Sequence, residues 1–181
     1  IRTWLNNLLQ IFGWDVRDTS QVLQEKVLSK IEKERLKEID STNSRPDYTF
    51  KVAKQKLTFL DAKALWVDLK TDSNSAFQIK SYGWSILAPC AFISNFEQFV
   101  IYDCTYMPSK DQKANFGRIF LSIEDYLDNF EILEQHLLKE NIYEGKLNEL
   151  YNNASLKGVH NVSPDFAFAD LLSNFRIELA N

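Results

Sequence analysis

The chain has 181 residues, 45% of them hydrophobic and 25% charged, which suits one domain with a sizeable core. A net charge of −4 counts against a free-standing nucleic-acid binder. No apolar run approaches the roughly 18 residues of a membrane span, and no secretory leader is visible.

Trp4, Leu5, Leu8, Leu9 and Phe12 fall at helical spacing, so Ile1 to Phe12 is predicted as an amphipathic helix that Gly13 ends. The helix opens within its own pattern, and the one methionine is Met107. The chain is therefore expected to be part of a longer protein. Helix and strand both fit parts of Gln21 to Ile39, and a short strand around Val22 to Leu28 leading into a charged helix is the favoured reading. Glu25 lies in that segment and reads by itself as a surface carboxylate. After a polar loop at Ser41 to Arg45, two strands are expected at Tyr48 to Val52 and Leu57 to Ala62. A polar turn at Ala53 to Lys56 joins them.

Trp66 to Ser75 reads as a loop and Ala76 to Leu87 as a helix that stops before Pro89. Two more strands follow at Cys90 to Ser94 and Gln98 to Cys104, joined by a turn at Asn95 to Glu97. Pro108 to Phe116 is a polar loop, and Arg118 to Ser122 is a last edge strand. Ile123 to Tyr151 is predicted helical, with Tyr126, Phe130, Leu133, Leu137 and Leu138 as its apolar stripe. Ser163-Pro164-Asp165 starts a final helix that buries Phe166, Leu171, Leu172, Phe175 and Leu179. This order predicts an α/β fold, a mixed sheet with one helix crossing between strands and a helical tail.

Cys90 and Cys104 sit in apolar strand-like runs and read as buried thiols of a cytoplasmic protein. His136 and His160 lack ligand spacing, so a zinc site is not expected. Arg45 to Lys80 carries seven Lys/Arg against four Asp/Glu, whereas Leu121 to the end carries four against eleven. The central stretch therefore suits phosphate better than the tail does.

That central stretch, RPDYTFKVAKQKLTFLDAK, also holds the candidate chemistry. Alternation along a strand puts Asp61 and Lys63 on one face and turns Ala62 into the packing. A hairpin carries Asp47 back beside that pair. Two carboxylates suit a hard divalent cation, which can polarise a phosphate and lower the pKa of water. A strand ending in Asp-x-Lys can equally be a solvated edge. On the next helix Gln78 and Tyr82 lie four apart and share a face, available to a site or to packing.

PD, D-x-K and Q-x-x-x-Y, in that order, resemble the PD-(D/E)xK nuclease superfamily in its Gln/Tyr branch. SAFQIKSYGWSILAPCAFISNFEQFVIYDCT is similar to the N-terminal nuclease region of type IIG restriction-modification enzymes. NIYEGKLNELY and PDFAFADLLSNFRIELA resemble the helical segment that such enzymes place before the methyltransferase.

The resemblance implies a restriction-endonuclease-like domain over 1–122 and a helical extension over 123–181 leading to a further domain. It implies that Asp47 and Asp61 bind Mg²⁺, with Mn²⁺ as a substitute and the Ala62 carbonyl as a further ligand. Lys63 would orient the attacking water, Gln78 and Tyr82 would brace the site or touch the DNA backbone, and Glu25 would be an auxiliary carboxylate. The implied partners are double-stranded DNA, a methyltransferase and a specificity domain in the same full-length chain, and a second copy met transiently to cut both strands.

The sequence departs from the family at Ala64-Leu65, where members usually carry Lys-Pro, and at Asn95, where they usually carry Asp. An acidic residue that members often carry just before the Arg2 position lies outside the sequence. The nuclease part of a type I restriction motor subunit shares the same motifs. A catalytically inactive binding or assembly module on the same fold is the rival of a different class.

Overall fold

Apolar residues on both faces of each central strand call for a covered sheet, and the structure supplies covers on both sides. The computed structural model describes residues 1–152. Six strands form one mixed sheet in sequence order: β1 (Val22–Gln24), β2 (Tyr48–Val52), β3 (Gln55–Ala62), β4 (Cys90–Ser94), β5 (Gln98–Asp103) and β6 (Arg118–Ser122). All neighbours pair antiparallel except β3 and β4, which run parallel. A parallel pair needs a crossover, and helix α3 (Ser73–Ser85) provides it.

One face of the sheet presents Tyr48, Phe50, Leu60, Phe92 and Phe99. Helix α1 (Arg2–Ile11) buries Leu5 and Leu9 against it. Leu133 and Leu137 of α4 (Phe130–Leu137), Ile142 of α5 (Lys139–Tyr143) and Leu147 of α6 (Lys146–Asn152) join the same core. The other face presents Phe59, Ala91, Ile93, Val100 and Tyr102. It is covered by α3 and by α2 (Lys30–Lys37), which contributes Leu36. Each such side chain, fully buried, contributes about 1.5–3 kcal/mol.

Local signals set most boundaries. Helix α1 ends in a Schellman arrangement: Gly13 adopts φ +87°, its N–H donates to Gln10 O, and Trp14 N–H donates to Leu9 O. Ser29 and Glu32 form a capping box that starts α2. The strand predicted over Val22 to Leu28 stops at Gln24, because Glu25 turns left-handed at φ +49°. The hairpin turn is tighter than expected: Val52 pairs with Gln55, leaving Ala53 and Lys54 as the loop, and Ala53 takes φ +51°. Helix α3 starts earlier than Ala76, since the Asp72 carboxylate accepts from the N–H groups of Asn74 and Ser75.

The single helix expected over Ile123 to Tyr151 is instead a 3₁₀ turn (Ile123–Asp125) followed by α4, α5 and α6. Leu138 at ψ 125° separates α4 from α5, and Gly145 at φ +76° separates α5 from α6. The apolar stripe keeps its phase across these breaks, which hides them from periodicity. The final helix expected from Ser163-Pro164-Asp165 lies outside the described residues.

Cys90 and Cys104 are free and buried, as expected. Gly83 lets α3 approach the sheet closely. A Cβ there would lie 2.4 Å from Cys104 Sγ and 3.2 Å from Ala91 Cβ. Among the described residues no helix is long and apolar enough to cross a membrane.

Candidate active site

The adjacent ends of β2 and β3 bring the two predicted acids together. Asp47 immediately precedes β2 and Asp61 is the penultimate residue of β3. The backbone N–H of Asp47 donates to Asp61 Oδ1 at 3.1 Å. In return Asp47 Oδ2 accepts from the N–H of Ala62 at 2.8 Å. Side-chain and backbone groups thus lock the two strand ends in register. Ala62 packs toward the α1 side of the sheet, which leaves Asp61 and Lys63 on the α3 side, as alternation predicts.

Asp61 is 3% exposed. Burial raises its pKa above the ordinary carboxylate range, the Lys63 ammonium opposes that shift, and the nearby Asp47 charge adds to it. Lys63 Nζ lies 3.3 Å from Asp61 Oδ2 and donates a second hydrogen bond to Gln78 Oε1. Gln78 Nε2 donates to Tyr82 Oη at 3.2 Å. The chain Asp61–Lys63–Gln78–Tyr82 therefore runs from the sheet onto α3. Tyr82 is also a core residue against Phe59, and burial raises its pKa. It serves packing and the polar chain at once, whereas Gln78 joins the polar chain.

The loop after Lys63 is pinned to the end of β4. Lys63 N–H donates to Ser94 O at 2.8 Å, and Asn95 Nδ2 donates to Val67 O at 2.7 Å. Asn95 is thus a buried brace for this loop. The loop presents Trp66 88% exposed.

Glu25 also reaches this end of the sheet. Its N–H donates to Asp47 O at 2.9 Å, which places it beside the PD turn. The residue linking it to the acids is Arg2, which sequence reasoning did not single out for a role. Arg2 Nη2 donates to Glu25 Oε1 at 2.5 Å and to Asp47 Oδ1 at 2.8 Å. Its hydrogen bond to Glu25 raises the Arg2 pKa, and the same contact lowers that of Glu25. One signal in the sequence marked Arg2: it sits three residues before Leu5 and seven before Leu9, on the stripe α1 buries. An arginine on an apolar stripe calls for a partner.

Beside Gln78 a cleft of about 360 Å³ opens between the loop carrying Ser41 and Asn43, the start of α3 at Asn74 and Ser75, and Lys110. Among the described residues no cluster of three or more His, Cys, Asp or Glu side chains is arranged to hold a metal ion. Asp47 and Asp61 are linked through each other's backbone, and Glu25 is joined to Asp47 through Arg2.

A mixed six-stranded sheet with helices on both faces defines an α/β protein whose architecture is compatible with the restriction-endonuclease-like fold. The Type II restriction enzyme and methyltransferase RM.Eco57I of Escherichia coli is 26% identical over 179 residues, a match covering 98% of this chain and 18% of that protein. The chain is thus homologous to one segment of a restriction-modification enzyme and spans less than a fifth of its length. No family model and no solved structure matches the chain.

Proposed function

We propose that this chain is the Mg²⁺-dependent nuclease segment of a restriction-modification enzyme and hydrolyses phosphodiester bonds of double-stranded DNA. The observation that carries the reading is the hydrogen-bonded array of Asp47, Asp61, Lys63 and Gln78 at the meeting point of β2, β3 and α3. Homology to a restriction enzyme and methyltransferase supports it and favours a fused enzyme over a motor subunit. On this reading the chain belongs to the PD-(D/E)xK superfamily in its type IIG arrangement.

The donor set fits Mg²⁺. That ion binds through one or two carboxylates and keeps several waters, so a two-carboxylate site, with the Ala62 carbonyl as a candidate further ligand, suits it without a third acid. Mn²⁺ prefers the same oxygen ligands. When bound, the ion supplies charge stabilisation at the phosphate. Asp47 and Asp61 would hold it, and their hydrogen bonds to backbone N–H groups keep both carboxylates at the strand ends. Lys63 orients the attacking water from a position fixed by Asp61 and Gln78. The polar cleft beside Gln78 suits the sugar-phosphate backbone next to the reacting phosphate. Sequence recognition and methylation belong to other domains of the full-length chain, and two copies meet to cut both strands.

Plasmid nicking by the full-length protein tests the reading. Cleavage should require Mg²⁺ or Mn²⁺ and disappear in Asp47→Ala and Asp61→Ala, with methylation retained. Undiminished cutting by either variant removes the site.

A further inference from the structure

Asp47 makes one contact that the proposed reaction leaves unused. Its Oδ1 accepts from Arg2 Nη2, and the same nitrogen donates to Glu25 Oε1. A single cationic nitrogen therefore lies between two carboxylates. Glu25, Asp47 and Asp61 bring three carboxylates to this end of the sheet, and Arg2 and Lys63 are the cations in direct contact with them.

The two cations are held differently. Lys63 has a side chain 19% exposed and is fixed by Asp61, itself buried, and by Gln78. Arg2 has a side chain 51% exposed, and its partner Glu25 is 50% exposed. The Arg2–Glu25 pair is of the exposed kind that contributes at most about 1 kcal/mol, and Asp47, with a side chain 21% exposed, also faces solvent. Arg2 also lies in the first turn of α1, while the helix is anchored further on by Leu5 and Leu9. Its side chain can swing into water without moving the backbone. Of the two cations, Arg2 is the one that can leave.

We propose that Arg2 is a resident counter-ion that competes with the divalent cation for Asp47, so that metal loading requires the guanidinium to release Asp47. This inference rests on the metal site proposed above at Asp47 and Asp61. Before loading, Arg2 offsets the repulsion among the acids. On loading, a double charge takes over the role of a single one, and Glu25 keeps the freed guanidinium close by. Arg2 thus sets the metal concentration at which the site fills.

The test is Mn²⁺ binding by the full-length protein, read from the free-ion EPR signal without DNA. Arg2→Gln, and Arg2→Met, which keeps the apolar stem, should bind Mn²⁺ about tenfold more tightly than the unaltered protein, equivalent to ~1.4 kcal/mol. Arg45→Gln removes a charge that acts on Glu25 through space alone, and it should change affinity far less. Asp61→Asn should abolish binding in every background. Unchanged or weaker affinity in the Arg2 variants, or an equal gain in Arg45→Gln, overturns the competition while the metal site stands. No Mn²⁺ bound by either the unaltered protein or Arg2→Gln overturns the metal site and the inference together.

Discussion

Lys63 and Gln78 come from different elements and meet directly: the ammonium at the end of β3 donates to the side-chain carbonyl of Gln78 on α3. Gln78 in turn donates to Tyr82, one helical turn further along. The lysine is thereby tied to a helix that is buried along much of its length. A lysine present only for solubility would have no such tether.

Removing Lys63 should separate chemistry from folding. Lys63→Ala should lower DNA cleavage by about a hundred- to ten-thousand-fold, the usual contribution of a proton-transferring or positioning group. Its thermal midpoint should stay near that of the unaltered protein. Gln78→Ala should lower cleavage by a smaller factor, since it loosens Lys63 without deleting it. Cleavage kinetics set beside thermal denaturation check both. Normal cutting by Lys63→Ala would remove the lysine from the mechanism.

Asp61 should cost the metal-free protein stability. Burial raises its pKa, so the folded state disfavours the ionised carboxylate. The contribution of this group is most favourable below the ordinary carboxylate pKa and declines as pH rises through the raised value. At neutral pH Asp61→Asn should therefore stabilise the metal-free protein by about 1 kcal/mol, the common scale of a single stabilising substitution. Calorimetry with and without Mg²⁺ checks this: the variant should melt higher without metal and gain nothing when metal is added.

Much of this site was legible in the sequence because it is local. Asp47, Asp61 and Lys63 belong to one hairpin, and the period of two along β3 places Asp61 and Lys63 on one face. Gln78 and Tyr82 follow on the next helix, where spacing by four fixed theirs. Arg2 was missed because its contacts to Glu25 and Asp47 span long stretches of chain, and periodicity says nothing about which helix end lies over which strand end. The start of α3 was missed for a different reason. Asp72 was read as a loop residue, although an Asp before Asn74 and Ser75 is a capping signal in its own right. The breaks at Leu138 and Gly145 escaped because the hydrophobic phase continues through them.

Lys80 should make stability depend on pH in the alkaline range. Burial lowers its pKa from 10.5 to about 8, although it lies over the rings of Tyr102 and Phe116 and donates to Gln112. A depressed pKa contributes stability that is complete above the unfolded value and lost as pH falls through the folded one. Between pH 8 and 10.5 the protein should gain stability with rising pH, by at most ~1.4 kcal/mol per pH unit from this group. Lys80→Met should be more stable at pH 7 and lack this slope. Urea titrations of both proteins across the window give the difference, in which other titrating groups cancel. A difference independent of pH would show that the ammonium is well solvated.

Gly83 should tolerate no side chain. An added Cβ would meet Cys104 Sγ at 2.4 Å and Cys104 Cβ at 2.8 Å. Overpacking of this kind costs about 1–3 kcal/mol, so Gly83→Ala should lower the urea midpoint accordingly. Combining it with Cys104→Ala should recover part of the loss, because the two changes share one contact. Strict additivity in that double variant would exclude the clash as the cause.

The sheet's neighbours in space are also its neighbours in sequence, from β1 through to β6. Each strand emerging from the ribosome therefore finds its partner already made, and no strand must wait for a distant segment. Loop closures stay short, which favours rapid folding for a sheet of this size. Asp47, Asp61, Lys63 and Gln78 are in place once β4 has docked on β3, before α4, α5 and α6 have been synthesised. The array is thus built from an early part of the chain, and of the helices on the opposite face only α1 precedes it.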